Sequence, residues 1–98
     1  MFGLIGRIRA VAGKRSELAA VLVQEDGSMP GCLSYVVAED PGDADLLWVT
    51  EVWTDEAAHK ASLGLPAVQA AIARGRPLIA GLESQTRTRV LGGIGLGR

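Results

Sequence analysis

The chain has 98 residues, 48% hydrophobic and 21% charged, with a formal net charge of −1. That composition describes one globular domain rather than a disordered segment, and balanced acids and bases without a basic run argue against a nucleic-acid partner. No apolar stretch approaches the ~18 residues of a membrane span, and the single cysteine, Cys32, leaves neither an internal disulfide nor a cysteine-rich zinc site.

In chain order, Phe2 to Val11 reads as a strand, with Phe2, Leu4, Gly6 and Ile8 on one face and Ile5, Arg7 and Arg9 on the other. The arginines also cut short the apolar start at Met1–Ile5, so no secretory signal is expected and the expected location is the cytoplasm. Gly13 breaks the strand. Lys14 to Gln24 then reads as a helix without internal Gly or Pro, with Leu18, Val21 and Leu22 as its buried stripe and Glu25 at the next helical spacing. Gly27, Pro30 and Gly31 end it.

Cys32 to Glu39 and Leu46 to Trp53 are the second and third strands. Between them, Asp40-Pro41-Gly42-Asp43 is a strong turn signal, because proline presets φ and glycine tolerates φ > 0. The short link makes the pair an antiparallel hairpin. Thr54 or Asp55 caps a second helix that runs to about Leu63, and Gly64-Leu65-Pro66 interrupts it. Pro66 suits the first turn of a further helix carrying Val68, Ala71 and Ile72, which Gly75 and Pro77 stop. Leu82 to Leu91 is the last strand, and residues 92–98, with glycines at 92, 93, 95 and 97, form a tail outside a 1–91 domain.

The order β-α-β-β-α-β predicts an α+β, ferredoxin-like domain: a four-stranded antiparallel sheet with its helices on one face. The other face carries either Trp48, Thr50 and Val52 or Leu47, Val49 and Trp53. So much apolar surface needs cover, and a second copy packed sheet to sheet supplies it, giving a homodimer and a dimeric α+β barrel.

Alternation places Glu51 and Trp53 on one face at the end of the third strand. They either line a pocket between sheet and second helix or form a structural corner. His59 is the sole histidine, and histidine is the common proton carrier near neutral pH; it reads as a pocket base or as a partly exposed helix residue. Ala58, Ala61 and Leu65 cluster on the helical wheel with Ser62 at their edge, so Ser62 and Leu65 are candidate substrate contacts. Tyr35 either donates to a ligand oxygen or fills the core. Arg7, Arg9, Arg87 and Arg89, on neighbouring strands, can pair with Glu39, Glu51 or Glu83 or hold an acidic ligand. Cys32 reads as a small apolar residue.

Glu51-Val52-Trp53 before an acidic helix start at Asp55, the break at Leu65-Pro66, and Arg76-Pro77-Leu78-Ile79-Ala80-Gly81 resemble the antibiotic biosynthesis monooxygenase family over roughly residues 2–91. The resemblance implies a small dimeric α+β barrel. It also implies a cofactor-independent monooxygenase that oxidises a quinol-like or polycyclic phenolic compound with molecular oxygen and needs no metal, flavin or haem. Trp53 would then shape the pocket, Glu51 orient or polarise, and His59 move protons. Many members carry a histidine three residues beyond His59, where this chain has Ser62. A haem-degrading branch of the fold uses an Asn on the first strand, a Trp and a helix-two His; only Trp53 matches, with Gly6 and Ser62 near the other two places, so haem degradation is not expected. The alternative function is a non-catalytic dimeric protein of the same fold that binds a small aromatic or hydrophobic ligand.

Overall fold

The computed structural model describes residues 1–23 and 29–96. Gln24, Glu25 and Gly27, expected at the end of the first helix, and the last two residues of the tail lie outside the described residues. Strand β1 is Phe2–Ala10, helix α1 Arg15–Val23, β2 Cys32–Glu39, β3 Leu46–Trp53, α2 Glu56–Ser62, α3 Pro66–Gly75 and β4 Ile79–Arg89, the last preceded by a 3-10 turn at Arg76–Leu78. All neighbouring strands run antiparallel in the order β2-β3-β1-β4. This is the expected ferredoxin-like α+β sheet, and the broken second helical region is two helices, α2 and α3.

The largest difference from expectation is the start of β4, at Ile79 rather than Leu82. Its register against β1 jumps from Arg7↔Ser84 to Ile8↔Leu82 and from Arg9↔Gly81 to Ala10↔Ile79. Glu83 and Ala80 are therefore the extra residues of two bulges, and a bulge breaks the period-two pattern by which a strand is read.

The turn between β2 and β3 is built as its sequence suggests. Gly42 N donates to Asp40 Oδ1 at 2.8 Å, and Asp40 N to Leu46 O at 3.0 Å. At the other end of the hairpin, Gly31 has φ +83°, and a Cβ there would lie 2.6 Å from Ala58 Cβ and 2.9 Å from Thr54 Oγ1. Only glycine meets both conditions. Thr54 N donates to Gly31 O at 2.8 Å, tying the start of β2 to the exit of β3. Asp55 caps α2, accepting from Ala58 N at 2.7 Å; such a cap contributes about 1 kcal/mol.

Packing is uneven along the sheet. Ala10, Leu18 and Leu47 form the core cluster, with Ile8, Ala19, Leu22, Val37 and Leu78 against it, so α1 closes the end of the sheet where β1 finishes. Leu18 is fully buried; Val21 and Leu22, from the same stripe, are half-buried. At the opposite end Leu4 and Trp53 are buried and Glu51 is half-buried.

The helix-free face carries Ile5, Arg7, Val36, Ala38, Trp48, Thr50, Val52, Thr86 and Thr88, as their cross-strand pairing shows. It is less bare than anticipated. Trp48 Nε1 donates to Asp40 Oδ2 at 2.8 Å, the Arg7 guanidinium lies over the indole at 5.3 Å, and Arg7 Nε donates to Ser84 Oγ at 3.0 Å. The remaining strand arginines depart in part from the pairings considered. Arg9 bridges Glu83 and Asp43, Arg87 meets Glu56 at 3.0 Å, and Glu39 is taken by Arg15 at 3.2 Å. Among the described residues no ion pair reaches Glu51, which faces the helices instead.

Candidate functional site

A cavity of about 550 Å³ opens between the helices and the sheet. The floor comes from Leu4 and Ile8 of β1, Tyr35 of β2, Glu51 and Trp53 of β3, and Ile79 and Gln85 of β4. Leu18 and Leu22 of α1 form one wall, His59 and Ser62 of α2 another, and Val68, Ala71, Ile72 and Gly75 of α3 the third. A volume in this range suits a small organic ligand, and few polar groups in a mostly apolar lining is the usual build of such a site.

Glu51 and Trp53 are two residues apart on one strand and so share a face. Trp53 is 1% exposed, and its Nε1 donates to Glu51 Oε1 at 3.0 Å. Among the described residues no fully buried side-chain N or O lacks a partner. Glu51 also lines the cavity. Burial pushes the Glu51 carboxyl above its ordinary value, against the Trp53 hydrogen bond and the nearby His59, which both act to lower it. The result is a carboxyl that holds its proton more firmly than a surface glutamate.

The half-buried His59 ring lies edge-on to Trp53, with centroids 5.4 Å apart and planes at 70°, and 5.7 Å from the Phe2 ring. His59 thus stands on the cavity lining with its ring between those of Trp53 and Phe2. Ser62 also lines the cavity, but its hydroxyl donates to His59 O at 2.6 Å, so towards a ligand it acts as an acceptor. Tyr35 lines the same space.

Leu65 does not line the cavity. It is the N-cap residue of α3 and donates through its backbone N to Ser62 O at 3.0 Å, and its neighbour Leu63 takes the lining position. Gln85, Arg76 and Met29 are lining residues that sequence reasoning passed over. Among the described residues the Arg76 side chain makes no hydrogen bond or ion pair, leaving a guanidinium available to an acidic substituent. Cys32 lies outside this cavity; burial raises its thiol, which donates to Ser34 O at 3.6 Å. No three His, Cys, Asp or Glu side chains gather as a metal site among the described residues, and no helix there is long and apolar enough to cross a membrane.

The protein is thus a small ferredoxin-like α+β domain with a mostly apolar cavity under its helices, a half-buried carboxyl and an imidazole set between aromatic rings. The family model for antibiotic biosynthesis monooxygenase matches residues 1–74. A solved structure from Chloroflexus aurantiacus J-10-fl, provisionally named an antibiotic biosynthesis monooxygenase, is 58% identical, with 98% of each chain covered and a TM-score of 0.94. Another so named, from Deinococcus radiodurans, is 30% identical over 96% of each chain, with a TM-score of 0.78. SnoaB from Streptomyces nogalater, described as a cofactor-independent oxygenase, shares the fold at 17% identity, 95% coverage of each chain and a TM-score of 0.77. No curated protein matches the chain. The chain belongs to the antibiotic biosynthesis monooxygenase family.

Proposed function

We propose that this protein is a cofactor-independent monooxygenase that oxidises a quinol-like or polycyclic phenolic small molecule with O2. The observation that carries the reading is the grouping of Glu51, Trp53 and His59 on the wall of an otherwise apolar cavity. SnoaB, a cofactor-independent oxygenase of the same fold, adds support by analogy.

The chemistry asks little of the protein. A phenolic ring loses a proton, and His59 is the group placed to take it. The electron-rich carbanion reduces O2 by one electron, and the resulting radical pair combines to a hydroperoxide. Cleavage of the O–O bond leaves one oxygen on the substrate as a carbonyl and releases the other as water, which takes up the phenolic hydrogen and the hydrogen of the oxidised ring carbon. Over the whole sequence a phenolic C–OH, a ring C–H and O2 become two C=O and H2O. Glu51 in its protonated form, which burial favours, donates a hydrogen bond to the developing oxyanion within a mostly apolar lining.

Oxygen uptake measured with a panel of one- to three-ring phenols in metal-free buffer tests this. Uptake should match product, and His59→Ala should lower the rate by about 10²- to 10⁴-fold, the usual contribution of a positioned base. Ligand-dependent fluorescence quenching without uptake would replace the proposal with a non-catalytic binder, and unchanged turnover in His59→Ala would remove that residue's role.

The proposed assembly is a homodimer through the helix-free sheet face. Val36, at 54% exposed, stands on that face, and Leu91 and Ile94 beyond β4 are 91% and 105% exposed. Covering such apolar surface is what a sheet-to-sheet pairing does. Sedimentation at micromolar concentration should give twice the chain mass; a single species of one chain mass would reject it.

A further inference from the structure

We propose that Arg76 makes the cavity selective for organic acids: its guanidinium binds a carboxylate that the ligand carries at the end away from Glu51 and His59. This selectivity presupposes that the cavity binds an organic ligand, and it adds the charge of that ligand and the side from which it is held.

The cavity opens on one side. Of its lining, Leu63 at the end of α2, Ile72 on α3, Arg76 in the turn that follows, and Ile79 and Gln85 on β4 are exposed. The lining residues of α1, β1, β2 and β3 are buried or half-buried. The mouth therefore lies between α3 and β4. Leu63, Ile72 and Ile79 give it an apolar rim, and among the described residues Arg76 is its one charged member. Arg9, Arg15 and Arg87 are each met by a carboxylate of the protein. Arg76, the arginine that lines the ligand space, is not, and the Gln85 amide across the mouth is a second donor without a partner among the described residues.

Position along the sheet separates Arg76 from the proton-moving groups. Arg76 begins the turn that leads into β4, and the first residue of β4, Ile79, pairs with Ala10. Glu51 pairs with Leu4, which lies about 20 Å back along β1 at the normal strand rise. The Glu51 carboxyl is accordingly acted on by the charge of His59 and not by that of Arg76. The cavity thus has an acid-base end and a cationic end, and a ligand that satisfies both carries its anionic group away from its reacting ring. A guanidinium presents a planar fork that matches the two oxygens of a carboxylate. At the mouth that carboxylate keeps part of its water, so it escapes the cost of burying a charge in an apolar interior. One arginine balances the single charge of a carboxylate rather than the nearly doubled charge of a phosphate monoester.

The test is a ratio. Two probes, 6-hydroxy-2-naphthoic acid and its neutral isostere 6-hydroxy-2-naphthamide, are titrated anaerobically by calorimetry at neutral pH into the wild type, Arg76→Gln and Arg76→Lys. The wild type should bind the acid about fivefold or more tighter than the amide at low salt, the scale of a charge-assisted hydrogen bond at a partly exposed site. Raising the ionic strength should narrow that ratio. Arg76→Gln should bring the ratio to about one, with the affinity for the amide within about twofold of the wild type. Arg76→Lys, which keeps the charge without the fork, should keep part of the ratio. The Arg76 side chain ties down no other described part of the protein, so both variants should melt close to the wild-type temperature. A wild type that binds the acid no tighter than the amide, a preference that survives in Arg76→Gln, or equal weakening of both probes in that variant would overturn the inference while leaving the cavity's role standing. Failure of the wild type to bind either probe would overturn both.

Discussion

Replacing Trp53 with alanine is expected to remove about 3–5 kcal/mol of stability, the range for truncating a fully buried aromatic side chain. The whole margin of a small domain is about 5–15 kcal/mol, so this variant should unfold at a much lower denaturant concentration, or fail to accumulate. Two losses combine. The indole is the largest fully buried side chain of the protein, and its removal leaves Glu51 Oε1 without its donor and His59 without the ring it leans on. Trp53→Phe separates them. It keeps most of the volume but removes the N–H, leaving a buried acceptor unpaired at a cost of about 1–3 kcal/mol. Denaturant midpoints should therefore fall in the order wild type, Trp53→Phe, Trp53→Ala. A Trp53→Ala protein as stable as the wild type would mean that the indole is not the post on which the site is built.

Stability of the Glu51→Gln variant relative to the wild type should rise with pH. The ordinary value of this carboxyl is 4.5, and in the folded protein burial pushes it up. Between those two values the folded chain holds a proton that the unfolded chain has lost. The wild type therefore has this contribution in full below pH 4.5 and loses it as pH climbs through the raised value. Glutamine cannot ionise, so it escapes that loss. Each tenfold change in proton affinity is worth about 1.4 kcal/mol. Asp40, lowered chiefly by Trp48, and Asp43, lowered chiefly by Arg9, slope the other way, but they are present in both proteins and cancel in the difference. Unfolding free energies measured at intervals from pH 4 to pH 8 check this. Parallel curves for the two proteins would show that Glu51 ionises in the cavity as freely as in water.

Much of this arrangement was legible in the residues. Alternation in Leu46–Trp53 placed Glu51 beside Trp53, and Asp40-Pro41-Gly42-Asp43 fixed the hairpin, because each is a local rule obeyed locally. Residues Ile79 to Gly81 were not legible as strand, since the bulges at Ala80 and Glu83 erase the period by which strands are recognised. The α1 and α3 walls of the cavity escaped for another reason. Leu18, Leu22, Val68 and Ile72 sit on ordinary apolar stripes, and a stripe looks the same whether it meets another side chain or stops short of one. The small residues Ala71 and Gly75 on α3 were the available hint of space. Leu65 was drawn into the site by its place on a helical wheel, yet the break before Pro66 ends that wheel two residues earlier and turns Leu65 into a cap.

The bulged strand has a consequence for how the molecule behaves in a crowd. β4 is an outer strand of eleven residues, long enough to recruit a stray chain and seed a growing ribbon. Extra residues at Ala80 and Glu83 throw its free hydrogen-bonding groups out of step and add twist, which is a recurrent natural guard against edge-to-edge fibre growth. Straightening β4 by deleting them would make a tidier sheet and a stickier protein.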